Sequence, residues 1–178
     1  MKLYSHAHEF NSSFAVLTAA NWQKYPNQHS PHVVSVDTVD RQVRDGVLHT
    51  TRLLQFSQPP PGVLRWLGMP SISYFLEHST LCPRTRSFTA TTHNLSLRSI
   101  FCAEEQLTIS ANREESRLEI TASISYCGPM ATAAGLVEQA AVDRFRQNAH
   151  VGRMALQSVV NKVLEQSASL GCSAAQQS

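Results

Sequence analysis

The stretch Trp22-Gln23-Lys24-Tyr25-Pro26-Asn27-Gln28-His29-Ser30-Pro31-His32-Val33-Val34-Ser35-Val36-Asp37 joins two kinds of hydrophobic periodicity, and the fold turns on it. Upstream, Phe14, Leu17, Asn21 and Tyr25, with Ala20 and Lys24 beside them, recur at three- and four-residue spacing. This predicts an amphipathic helix whose start is capped by the side-chain oxygens of Asn11-Ser12-Ser13. Downstream, Val33 to Val43 is rich in β-branched residues and predicts a strand. Pro26 stops the helix, because a proline ring removes a backbone donor and pushes the residue before it out of helical space; Pro31 stiffens the approach to the strand. The corner therefore sets a cation, Lys24, and an imidazole, His32, beside apolar groups. On physics alone, a solvated lysine next to an ordinary loop is the commoner outcome.

Working outward, residues 2 to 10 alternate and predict a first strand. Arg44-Asp45-Gly46 has hairpin-turn chemistry ahead of a strand from Val47 to Phe56. On that strand Leu48, Thr50, Arg52, Leu54 and Phe56 share one face, so a guanidinium sits among apolar neighbours. A buried charge is costly unless paired, and the arginine fork suits a phosphate or a carboxylate. Arg52 thus either meets an anionic ligand, pairs with an internal acid such as Glu77 or Glu105, or marks a solvated face.

Further strands are predicted at 71 to 82, 86 to 95 and 99 to 110, the last with Glu105 amid Phe101, Ala103, Leu107 and Ile109. Glu105 reads either as a structural acid or as part of a polar site. Leu118, Ile120, Ala122, Ile124 and Tyr126 alternate with polar residues in a final strand. Gly128-Pro129 closes the sheet, and helical spacing then runs from Ala131 to Ser167, leaving 169–178 as a disordered tail after one domain of residues 1–168. Arg146, His150 and Arg153 form one basic strip on this helix, with Arg144 nearer its apolar edge. Between the third and fourth strands, Pro59-Pro60-Pro61-Gly62 precedes a crowded apolar run of Val63, Leu64, Trp66, Leu67 and Met69. A loop this apolar marks an interaction surface or a cover over something apolar, unless it is a helix packed into the core. The pattern is α+β: a curved antiparallel sheet of about seven strands, a short N-terminal helix, a lid loop and a long C-terminal helix.

Composition narrows the function. A chain of 178 residues buries an adequate core without a staple. A formal charge of +2 with 16% charged residues is too mild for nucleic acid, so any anion recognition is local. Cys82, Cys102, Cys127 and Cys172 are widely spaced, which predicts free thiols and neither a zinc site nor a disulfide framework. No catalytic triad order, phosphate loop or metal-ligand spacing is found, so no enzymatic activity, metal or cofactor is expected. With no secretory core, Arg-rich presequence or 18-residue apolar span, composition alone predicts a soluble, cytosolic protein.

The corner, together with Met1-Lys2-Leu3-Tyr4, Thr18-Ala19-Ala20-Asn21-Trp22, Thr50-Thr51-Arg52-Leu53-Leu54, Gly62 to Gly68, Glu77, Glu105 and Arg144-Phe145-Arg146-Gln147-Asn148-Ala149, resembles the PRELI-like (Ups/slowmo) family of phospholipid transfer proteins. The likeness spans residues 1 to 166 and is closest over the first 55. It implies a lipid container similar to the START and phosphatidylinositol-transfer folds, placed in the mitochondrial intermembrane space rather than the cytosol. It implies transfer of an anionic phospholipid between the outer and inner membranes, with Lys24, His32, Arg52 and Arg144 at the headgroup. Val63, Leu64, Trp66 and Leu67 then belong to the lid, while Arg146, His150 and Arg153 face the membrane. It also implies a heterodimer with a small twin-cysteine helical partner. Gln55, Phe56 and Gln58 stand where the phosphatidic-acid branch of the family tends to place lysines, which favours phosphatidylserine with phosphatidic acid next. The alternative is a non-transporting interaction module that uses the apolar 63–69 loop.

Overall fold

A computed structural model of the chain describes residues 1–60, 62, 65, 70–112, 115–129 and 131–175. Seven strands form one antiparallel sheet: β1 (Lys2–Phe10), β2 (Val33–Arg44), β3 (Val47–Ser57), β4 (Ile72–Cys82), β5 (Ser87–Asn94), β6 (Phe101–Asn112) and β7 (Glu115–Tyr126). Their order is β1-β7-β6-β5-β4-β3-β2, so the two strands nearest the N-terminus occupy opposite edges. Helix α1 (Phe14–Trp22) and the corner at residues 23–32 carry the chain from one edge to the other. The expected α+β architecture is thus present, with strand limits within a few residues of those predicted.

Local chemistry explains the joints. The Ser13 hydroxyl accepts from the Val16 backbone N–H at the start of α1, satisfying one of the donors a helix N-terminus leaves unpaired. Helix α1 ends at Trp22, three residues short of Tyr25, and the Tyr25–Pro26 peptide is cis. The β2–β3 hairpin turns through Asp45 and Gly46, both at positive φ (52° and 77°), the backbone that a two-residue primed turn demands and that glycine adopts without strain.

After a short 3-10 turn at Ala131–Ala133, helix α2 (Ala134–Ala175) lies back across the sheet. It runs past the predicted end at Ser167 and is continuous to Ala175. Apart from Gly171 the segment holds no helix breaker, and one glycine costs a helix only about 1 kcal/mol. Leu156, Val159 and Val160 of α2 meet Leu17 and Ala20 of α1 over Phe10, Phe88, Leu107, Ile109 and Leu118 of the sheet. Both helices therefore press on one face and seal one end of it. A second cluster forms at the start of α2, where fully buried Val137 packs on Leu97, Ile100, Phe101 and Tyr126. Glu138 accepts the Tyr126 backbone N–H at 3.0 Å, and Lys2 donates to Gln139, tying the helix start to β7 and β1.

Candidate functional site

Between the core cluster and the second cluster the helix stands off the sheet, and a cavity of about 260 Å³ opens within an atom-free space of about 1800 Å³ that is partly exposed to solvent. Its walls are mostly apolar: Leu54, Phe56, Phe75, Phe101, Leu107 and Ile120 from the sheet, and Phe145 and Leu156 from α2. The curvature of the sheet and the twelve-residue length of β2, β6 and β7 leave more concave surface than the two helices cover.

Polar residues interrupt this apolar lining, and Lys24, Arg52, Glu77 and Glu105 form one charged group among them. Arg52 is buried, which excludes the solvated-face reading of the period-two pattern on β3. Its fork is occupied: Nε donates to Glu77 Oε1 at 2.8 Å and a terminal nitrogen donates to Oε2 at 2.9 Å. Arg52 and Glu77 sit directly opposite in the β3–β4 register. The guanidinium also lies 4.8 Å from the ring centroid of Trp22, whose edge meets Phe88. Of the two candidate acids, Glu77 is the partner of Arg52 and Glu105 is not.

Glu105 faces the same cavity from β6. Among the described residues it makes no hydrogen bond and no close ion pair, and its residual accessibility comes from the cavity it lines. Burial raises its pKa above the ordinary 4.5, the Lys24 ammonium opposes that rise and the Glu77 carboxylate adds to it. Lys24, on the corner, also lines the cavity, with its ammonium 4.8 Å from the Tyr25 ring centroid. It is the lining cation left with neither a close ion pair nor a hydrogen bond among the described residues. Lys24 and Arg52 both line this cavity, and among the described residues neither the Lys24 ammonium nor the Glu105 carboxyl beside it makes a hydrogen bond or a close ion pair.

His32 lines the cavity against Phe56, ring centroids 5.8 Å apart. Burial, with Arg144 nearby, lowers its pKa below the ordinary 6.5, so at neutral pH it offers a neutral imidazole rather than a second cation. Arg144 also reaches the cavity, but one of its terminal nitrogens donates to the Pro59 carbonyl at 3.0 Å. One turn along, Asn148 donates to Gln58 Oε1 at 3.4 Å. These contacts fasten α2 to the segment that leads into the predicted lid, a role the sequence did not reveal. Val63, Leu64, Trp66 and Leu67 themselves lie outside the described residues.

The basic strip divides. Arg146 and His150 are exposed, with Arg146 beside Asp143. Arg153 instead borders the cavity, close enough to His8 of β1 to lower the pKa of that imidazole further after burial has done so. A residue at the margin between the covered and open faces of a helix is carried inward by its long apolar stem, and helical spacing alone does not register this.

Fold and site together define a class: a container with a covering helix, a mostly apolar cavity and a small charged group inside it. A sequence model of the PRELI-like family matches residues 15–167, and the chain belongs to that family. It is 36% identical over 170 residues to a UPS-like protein of Schizosaccharomyces pombe, covering 92% of this chain and 91% of that one. It is also 32% identical over 167 residues to the protein named UPS2, mitochondrial, of Saccharomyces cerevisiae, covering 90% and 73%. UPS1, mitochondrial, of the same yeast is 30% identical over 166 residues, covering 92% and 95%. Among solved structures, the Zhui aromatase/cyclase of a Streptomyces species superposes with a TM-score of 0.65 at 10% identity, covering 92% of this chain and 95% of that one. A START superfamily protein of Mycobacterium smegmatis superposes with a TM-score of 0.53 at 16% identity, covering 90% and 98%. At those identities the superpositions establish the shared fold alone.

Proposed function

We propose that this protein carries one phospholipid at a time between the outer and inner mitochondrial membranes through the intermembrane space, and that it makes and breaks no bond. The observation that carries this reading is the mostly apolar cavity with the charged group Lys24, Arg52, Glu77 and Glu105 on its wall. Two acyl chains moved through water expose on the order of 20 kcal/mol of apolar surface at ~0.8 kcal/mol per methylene, so a carrier must enclose them. The open interior favours a carrier over an interaction module whose centre is filled by side chains. The mitochondrial names of the yeast relatives support the compartment.

Within that reading the preferred cargo is phosphatidylserine, with phosphatidic acid next. Three of the cavity's positive or potentially positive groups are already engaged or neutral: Arg52 is paired, Arg144 is bonded to Pro59, and His32 has a lowered pKa. Lys24 is left to take the phosphate. With Lys24 turned to the phosphate, a headgroup that carries its own ammonium supplies a second counter-charge beside Glu105. The test is transfer between donor and acceptor vesicles of phosphatidylserine, phosphatidic acid and cardiolipin. The expected order places phosphatidylserine first, and no transfer of any of the three would end the carrier reading.

The lid follows the same energetics. Polar replacement of Val63, Leu64, Trp66 and Leu67 should slow transfer at least ten-fold without changing the circular dichroism spectrum. Losing the burial of even one such side chain, ~1.5 kcal/mol, is worth about a factor of ten. Wild-type transfer by a folded variant would show that this segment neither enters membranes nor closes the cavity.

A further inference from the structure

The four cysteines were expected to be free and unrelated, and two of them are neighbours. Cys102 stands near the start of β6 opposite Ser125 of β7. The ladder continues past the strand end, where the Cys127 backbone N–H donates to the Ile100 carbonyl at 2.7 Å. Because side chains two residues apart on a strand share a face, the thiols of Cys102 and Cys127 project on the same side of the sheet. Their sulfurs are 3.2 Å apart. Cys127 is exposed and Cys102 half-buried, so a small reagent can reach the pair.

We propose that Cys102 and Cys127 are a redox-active dithiol that closes to an intrachain disulfide, fixing the corner from which helix α2 leaves the sheet. Closing 3.2 Å to the ~2.05 Å of an S–S bond asks for about 1 Å of approach. Cys127 is well placed to supply it, since it lies just beyond Tyr126, the last residue of β7, and leads into Gly128-Pro129. A hydrogen bond to Cys102 raises the Cys127 thiol above its ordinary pKa.

The oxidant is a small-molecule disulfide of the glutathione class. One protein thiolate attacks it, forming a mixed disulfide and releasing one small thiolate. The second protein thiolate then attacks the mixed disulfide at the protein sulfur, forming the Cys102–Cys127 bond and releasing the second small thiolate. The two thiol protons end on the two released thiols, and the small disulfide takes up the two electrons. Nothing in this sequence depends on a bound lipid, so the inference stands apart from the carrier reading.

The consequence is local. Leu97 and Phe101 line the cavity, and they pack with Ile100 and Tyr126 around Val137 of α2. The bond ties the two sheet segments that hold this cluster, and so stiffens the attachment of the first turns of α2 beside the cavity.

The test uses the full chain, folded, incubated with oxidised glutathione, then alkylated and digested without reductant for mass spectrometry. The expected result is a linked peptide pair containing Cys102 and Cys127, lost on adding dithiothreitol, while Cys82 stays alkylated. In Cys102→Ser or Cys127→Ser protein the remaining partner should carry one glutathione and form no link. Alkylation of both cysteines, separate glutathione adducts on each, or linkages to Cys82 or Cys172 in comparable yield would overturn the proposal.

Discussion

Arg52→Ala is expected to cost this protein about 3 to 5 kcal/mol of stability, the range for breaking a buried ion pair by removing one partner. The pair is closed on itself: two hydrogen bonds of 2.8 and 2.9 Å join Arg52 to Glu77, both buried, under the ring of Trp22. Removing the guanidinium leaves the Glu77 carboxylate in an apolar wall, with Glu105 as its like-charged neighbour. For a chain of this size the melting midpoint of lipid-free protein should fall by about 6 to 20 °C, measured by circular dichroism. The double variant Arg52→Met, Glu77→Leu should recover most of that loss, because it removes the stranded charge as well. If Arg52→Ala melts like the wild type and loses bound lipid instead, the guanidinium serves the ligand rather than Glu77.

That outcome was half legible in the sequence. A guanidinium at period two among Leu48, Leu54 and Phe56 marks a charge that is either buried with a partner or on a solvated face, and names no partner. The choice between Glu77 and Glu105 depends on strand register, and hydrophobic alternation gives a register only to within steps of two. Residues 58 to 71 form a long connection between β3 and β4, so no tight turn fixed the Arg52–Glu77 pairing in advance. The β2–β3 hairpin was readable for the opposite reason: Asp45-Gly46 imposes the turn, and the turn imposes the pairing.

The cysteine pair was hidden in the same way. In an antiparallel hairpin the numbers of facing residues have a constant sum, and β6 and β7 pair with Cys102 against Ser125. Recognising Asn112 and Glu115 as the innermost pair would have brought Cys127 beside Cys102. Spacing along the chain carries no such information. The container shape itself was legible as strand and helix count, whereas the cavity was not. Its existence depends on how far α2 stands from the sheet, a three-dimensional quantity set by Phe145, Tyr4 and the two anchoring clusters.

Lys24→Ala and Glu105→Gln should separate the two ends of a headgroup. Among the described residues Lys24 is the lining cation with neither a close ion pair nor a hydrogen bond, so its loss should weaken capture of every phospholipid tested. A hydrogen bond to a charged group is worth about 1.5 to 3 kcal/mol, which sets the expected fall in transfer at ten-fold or more. Glu105→Gln keeps the shape and removes the charge. It should lower transfer of phosphatidylserine, whose ammonium loses its counter-ion, and leave phosphatidic acid, which has none, unchanged or faster. The same substitution has a signature without lipid. A carboxyl whose pKa is higher folded than unfolded holds more protons in the folded state, so stability declines as pH rises from the ordinary 4.5 through the raised folded value. Glutamine cannot titrate, so Glu105→Gln should match the wild type at low pH and melt higher above that window. Equal losses for both lipids would assign Glu105 to holding Lys24 in place rather than to reading an amine, and a flat difference in melting across pH would show that its carboxyl does not carry the cost of burial.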